Sequence, residues 1–185
     1  MLENPAVLPP ACRTLHAAVD ASASGGVVCV YARATENVVI NKGPDLEITQ
    51  CTVAEAAALN LGLPVVQILG AGPVLVIGLD ETGGTAGWRL DGDGYELRGV
   101  RSYDNSVDGI LVNGNDNEIS VNRVGHNGAC GVCGTASGTL VRDNKMDDSG
   151  LCEHEVLGAG TTDGGGSNRA SGVKFFDIEA GGCFE

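Results

Sequence analysis

The chain is 185 residues long, with 24 acidic against 11 basic side chains and a formal net charge of −13. That length suits a single domain, and a hydrophobic share of 43% excludes an intrinsically disordered chain. So acidic a chain argues against nucleic acid and anionic membrane surfaces as partners, because both are bound chiefly by cations that neutralise phosphate. With aromatics at only 4% and 29 glycines, the core has to come from small and β-branched aliphatic side chains, which favours short strands and tight turns.

In chain order, the opening MLENPAVLPPACRT has neither a basic nor an apolar signal region, so a secreted or periplasmic form is expected to have lost its signal peptide before this numbering begins. Residues 13–23, RTLHAAVDASA, predict a helix, which together with the segment before it (1–25) forms an N-terminal cap ahead of the strand GGVVCVYA. Residues 53–60, VAEAAALN, predict a short second helix. From Ala56 to Leu79 no residue is charged over 24 positions, long enough for a membrane span. Pro64, Pro73, four glycines, Asn60 and Gln67 interrupt it, however. Two buried strands, VVQIL and VLVIGL, joined by a GAGP turn, account for it without a span.

From Gly87 the chain becomes self-similar. GWRLDGDGYELRGVRSYDNSVD, GILVNGNDNEISVNRVGHNGAC and GVCGTASGTLVRDNKMDDSGLC align without gaps at a period of 22. Apolar positions then fall into columns: Val66, Trp88, Ile110 and Val132; Ile68, Leu90, Val112 and Gly134; Leu75, Leu97, Ile119 and Val141; and a partial fourth of Ser102, Val124 and Met146. The first two columns are two residues apart, the alternation of a strand with one buried face. DGDG, NGNDN and TASG separate the strand pieces as turns. Asn122 falls over Asn144 and Asn105 over Asn127, so their amides are expected to stack and share hydrogen bonds. The expected fold is therefore all-β: a single-stranded parallel β-helix with about 22 residues per rung over 26–157, in which no rung buries its inner face without its neighbours.

The order of short helix, then GGVVCVYARATENVVINKGPDLEI, then asparagine-rich rungs resembles the right-handed parallel β-helix, pectate-lyase-like superfamily. The rung NEISVNRVGHNGACGV is similar to rungs of periplasmic carbohydrate-binding and sugar-hydrolase type β-helices and of alginate epimerases. The resemblance covers roughly residues 13–150 and implies a right-handed coil, a helix capping the first rung, and a site for polysaccharide, often with calcium. The architecture hosts lyases, hydrolases, epimerases, adhesins and spikes alike. After residue 150 the pattern departs. Residues 158–172 read as a Gly-rich loop and VKFFDIEA as a last strand within 158–185, and the uncapped end is expected either to be truncated or to be covered by another subunit.

Seven cysteines, at 12, 29, 51, 130, 133, 152 and 183, favour an oxidising compartment over a metal site. Cys29 with Cys51, and Cys130 with Cys152, are each 22 apart and would lie on adjacent rungs. Cys12 with Cys29, Cys133 with Cys152, and a column of buried free thiols are the alternatives.

The register also sorts charge. Arg101, Arg123 and Lys145 share a column; Arg98 and Arg142 share a neighbouring one; Asp104, His126 and Asp148 share a third. Five of the eleven cations are thereby expected on one sheet. Such a face suits an acidic polysaccharide or cell-surface glycan, because guanidinium groups pair with carboxylates in a bidentate way. In a polyuronate lyase or epimerase, a base must work beside a group that neutralises the sugar carboxylate. The expected catalytic set is His126 as base or acid, Arg123 or Lys145 as neutraliser and Tyr103 as proton donor, with Arg98, Arg101, Arg142, Asp104 and Asp148 holding substrate. Against this stands a non-catalytic β-helix, an adhesin, stalk or carbohydrate-binding module, favoured by the scarcity of aromatic rings for stacking on sugars. His154, between Glu153 and Glu155, is a weaker metal patch. Asp91, Asp93, Asn113, Asn115 and Asp116 occupy turns in adjacent rungs and form a candidate calcium set of oxygen ligands.

Overall fold

The structure, a computed structural model, describes residues 12, 14–43, 45–52, 54–70, 72–157, 162–163, 168–171, 176–177 and 182–183. Three sheets wind around a shared core, and each strand is followed in the chain by one belonging to the next sheet. The first sheet stacks Val27–Val30, Leu46–Gln50, Val74–Ile77, Glu96–Arg98, Glu118–Ser120, Leu140–Arg142 and Thr162–Asp163. The second stacks Ala34–Thr35, Glu55–Ala57, Asp80–Thr82, Arg101–Tyr103, Arg123–Gly125, Lys145–Asp147 and Arg169–Ser171. The third stacks Val38–Ile40, Val66–Ile68, Ala86–Leu90, Asp108–Val112, Cys130–Thr135 and Cys152–Leu157. Every pairing within these sheets is parallel. The molecule is an all-β parallel β-solenoid with about 22 residues per turn. Among the described residues no helix is long and apolar enough to cross a membrane; the uncharged stretch forms strands of the coil.

The corners follow a rule. Gly72, Gly94, Asp116 and Gly138 stand in the left-handed backbone region; so do Gly78, Gly99, Val121 and Asp143, and likewise Gly83, Asp104, His126 and Asp148. Each series climbs the coil one residue per turn. A left-handed residue reverses the local winding and redirects the chain onto the next sheet. Glycine and short polar side chains tolerate this conformation, whereas a β-branched Val121 at φ 59° is strained there.

A buried asparagine follows the corner residue at Asp104, Asp116, Val121, His126 and Asp143. Asn122 Oδ1 accepts the Val100 N–H at 3.0 Å, and its Nδ2 donates to the Leu97 carbonyl at 2.9 Å. Asn117 does the same for Tyr95 N–H and the Gly92 carbonyl, and Asn144 for Asn122 N–H and the Ile119 carbonyl. The asparagines thus stack as expected, but what they chiefly satisfy is the main chain that the corner leaves unpaired. Direct amide-to-amide bonds join Asn105 to Asn127 at 3.0 Å and Asn144 to Asn168 at 3.1 Å.

The columns at Val66–Trp88–Ile110–Val132 and Ile68–Leu90–Val112–Gly134 hold in register. So does Ser102–Val124–Met146. The third column is corrected by one residue: Leu97 sits over Val76, not Leu75, which is only half-buried. The turn containing GAGP is one residue longer than DGDG, so the alignment at 22 slips there and recovers before Ala86, the register partner of Asp108.

Residues 53–60 contain no helix among the described positions; Glu55–Ala57 is a strand, because Ala56 and Ala57 are buried where the coil pairs them with its neighbours, and that outweighs alanine's helix preference. The N-terminal helix is Leu15–Ala21. Thr14 Oγ1 caps it by accepting from Ala17 N–H, and it is clamped to the first turn at both ends: the Glu36 carboxylate accepts from Leu15 and His16 N–H, and Lys42 Nζ donates to the Asp20 and Ser22 carbonyls. Its Leu15 and Val19 enter the core.

At the other end, the segment read as a Gly-rich loop carries two further strands of the coil, Thr162–Asp163 and Arg169–Ser171. Phe176–Asp177, within VKFFDIEA, forms an antiparallel pair with Gly182–Cys183. The remaining residues of 158–185 lie outside the described set.

Candidate functional site

On a strand only alternate side chains face outward. The second sheet's outward positions therefore form two stripes. One reads, turn by turn, Glu55, Asp80, Arg101, Arg123, Lys145 and Arg169: two acids below four cations. The other reads Ala57, Thr82, Tyr103, Gly125 and Asp147. Neighbouring turns are about 4.8 Å apart, so the positive charges repeat at that interval up the coil.

Over Gly125 in the second stripe, itself buried, lies an open depression. It is lined by Arg101, Tyr103, Arg123, His126 and Asp147, with Gly125 and Val124 beneath. The cations around it differ in their ties. Lys145 Nζ is 2.8 Å from Asp147, and Arg101 is 3.8 Å from Asp80. Arg123 has no ion pair among the described residues and is exposed. Burial raises the Asp80 carboxyl above its ordinary range, and the Arg101 guanidinium opposes that rise. Tyr103 donates its hydroxyl to Glu55 at 3.2 Å, and burial together with that carboxylate pushes its pKa up to about 12. A phenol held so firmly protonated remains a hydrogen-bond donor and is a poor base near neutrality.

Asp104, His126 and Asp148 do form one column, all in the left-handed conformation, at the corner that closes the second sheet. His126 Nε2 lies 3.7 Å from Asp148, with both side chains about two-thirds exposed. The corner accounts for the position of His126 whatever it binds.

One grouping expected from the sequence is corrected. Arg98 and Arg142 lie in one column, but on the first sheet, with Ser120 between them. The left-handed corner at Gly99, Val121 and Asp143 separates them from Arg101, Arg123 and Lys145, so the five cations occupy two faces. Arg142 is tied to Glu118 at 2.6 Å and to Asp143 at 2.9 Å.

The oxygen-rich turns lie on a different corner. Asp91 accepts from Arg89, Gln67 Nε2 and Asn113 Nδ2 at 2.5–2.9 Å; burial works to raise its carboxyl, but those bonds together hold it below the ordinary range. Asp93 Oδ1 accepts from Asn115 N–H at 2.6 Å, and Asn115 Oδ1 from Ser137 N–H at 2.9 Å, while Asp116 is one of the left-handed corners. These oxygens already form a turn-to-turn ladder. The side chains of Glu153, His154 and Glu155 lie outside the described set.

The sequence reading missed Glu81. It faces inward beneath the cation stripe, in the column of Ser102, Val124 and Met146. It is wholly buried, and neither carboxylate oxygen makes a hydrogen bond of normal geometry; Ser102 and Trp88 are the polar side chains facing it. Burial drives its carboxyl well above the usual range. Gly87 makes the room, since a Cβ there would lie 2.5 Å from Glu81 Oε1. The alignment at 22 places Asp80, not Glu81, under Ser102, which is why the residue gave no signal.

Cys29 and Cys51 form a disulfide, with Cα atoms 5.6 Å apart. Cys130 is joined to Cys133, a pairing that rung geometry did not suggest, and Cys12 is free and exposed. The Cys152 side chain lies outside the described set. No family model matches the chain, and neither a curated protein nor a solved structure is significantly similar to it.

Proposed function

We propose that this is a secreted or periplasmic β-helix of the pectate-lyase-like type, whose second sheet binds an acidic glycan along the coil axis. The observation that carries the reading is the unbroken run Arg101, Arg123, Lys145 and Arg169 in a chain with net charge −13. Cations repeating every turn suit a polymer with one carboxylate or sulfate per sugar, and the depression over Gly125 gives such a group a place next to Arg123, which has no ion pair among the described residues. Tyr103 and His126 then serve as hydrogen-bonding groups at its rim. The open face, and the pairing of Lys145, Arg101 and His126 with acids, favour binding without turnover.

Titration of the full chain with pectate, alginate and hyaluronan oligomers tests this. Binding to at least one is expected, weakening with salt, and about tenfold weaker in Arg123→Ala, the scale of one charge-assisted hydrogen bond. Equal affinity in the variant overturns the reading.

The second reading, a polyuronate lyase, draws on Tyr103, Arg123 and His126 around one depression. It predicts rising ultraviolet absorbance from unsaturated uronate, checked with and without calcium. No rise on any of the three polymers ends it.

A further inference from the structure

The third sheet carries a group of side chains that the glycan face does not use. Asp108, Cys130 and Cys133 present one carboxylate oxygen and two sulfurs, all within 4.8 Å of one another. Cys133 Sγ lies 3.5 Å from Asp108 Oδ1. The chain is bent to bring them together. Three steps of extended strand would separate Cys130 and Cys133 by about 10 Å, yet their Cα atoms are 5.9 Å apart. Gly131 stands inside that bend, and its carbonyl leaves no space for a Cβ on Gly109 one turn below, which would approach to 2.6 Å. Val132, between the cysteines, points into the core, whereas the two cysteines form a buried cluster of their own outside it. Cys152 is the register partner of Cys130 in the adjacent strand, so a third cysteine occupies the neighbouring turn.

We propose that this cluster is a redox-gated site for a thiophilic divalent cation, with zinc as the type ion. In the disulfide form the sulfurs are bonded to each other and offer no thiolate. An external dithiol supplies two electrons and two protons and closes to its own disulfide, while the Cys130–Cys133 S–S bond breaks and two thiols form. The cation then displaces both thiol protons and binds two thiolates and the Asp108 carboxylate, giving a centre of net charge −1. Water completes the tetrahedron. The two-residue spacing is that of a zinc chelate, and two sulfurs with one oxygen select zinc over calcium or magnesium. The site is independent of the glycan face, and its test does not use sugar.

The full chain is reduced anaerobically with a phosphine, freed of metal, and titrated with Co2+ and then Zn2+. One Co2+ per chain is expected, with sulfur-to-cobalt charge-transfer absorption and tetrahedral d–d bands that zinc abolishes. The air-oxidised chain should give neither. Asp108→Asn should weaken zinc binding by about tenfold, and Cys130→Ser/Cys133→Ser should abolish the cobalt bands. Because the double variant could misfold, alkylation of the reduced wild-type chain is mapped by peptide mass: zinc should protect Cys130 and Cys133 and leave Cys12 reactive. Cobalt bands of equal strength in the oxidised chain, or alkylation of Cys130 and Cys133 unaffected by zinc, overturn the proposal.

Discussion

The two halves of the coil are held together in different ways. From Trp88 to Lys145 the step between register partners is 22 residues on all three sheets. Below, it changes from strand to strand: Val27 pairs with Glu47, Val38 with Val66, Glu55 with Asp80 and Arg101 with Asp80. In the upper half one device repeats. A left-handed corner is followed by a buried asparagine that satisfies the turn beneath, so each interface resembles the next. In the lower half the ties are single and unlike one another: the helix clamped by Glu36 and Lys42, and the Cys29–Cys51 disulfide; a buried acid at Glu81 works against them. A repeat lets stability come from many equal contacts, whereas an irregular stack depends on particular ones.

Removing one asparagine should do the most damage. Asn122→Ala leaves the Val100 N–H and the Leu97 carbonyl without partners in a buried corner. At 1–3 kcal/mol for each orphaned group, about 4 kcal/mol of unfolding free energy should go, read from urea denaturation. A loss under about 1 kcal/mol would mean that the ladder accompanies the coil without holding it.

Glu81→Gln sharpens the contrast from the lower half. Burial raises the folded-state pKa of Glu81, so the folded chain must keep a proton that the unfolded chain releases. Below the unfolded pKa, near 4.5, both states are protonated and no penalty exists. As pH climbs above it, stability falls by about 1.4 kcal/mol per pH unit until the folded pKa is reached, then levels off. The glutamine variant should lack that slope and gain on the wild type as pH rises. Parallel stability–pH curves would refute the buried acid.

The smallest effect is expected at the cap. Glu36→Ala strips the acceptor from the Leu15 and His16 N–H groups at the helix start, costing about 1.5 kcal/mol. Hydrogen exchange should show faster amides in Leu15–Ala21 and unchanged protection at Ile110 or Ile119.

How much could be read from residues alone follows the same division. Ile110 over Val132 and Arg101 over Arg123 were legible because nothing is inserted between those turns. Leu75 was mistaken for Val76, and Glu81 was missed, because one extra residue near GAGP shifts the register without altering composition. The grouping of Arg98 with Arg101 failed at Gly99 and Val121. Valine does not advertise a left-handed bend, although Asn117, Asn122 and Asn127, five residues apart, marked the corners.

The sequence by itself determined the period, the inward aliphatic columns and the vertical stacking of Arg101, Arg123 and Lys145, since a residue's neighbour one turn away depends only on repeat length. Which face each column occupies, which acid each cation meets, and the meeting of Asp108 with Cys130 and Cys133 were decided by the tertiary structure. Those depend on where the chain bends between strands, and a bend is set by backbone angles that side-chain periodicity does not encode.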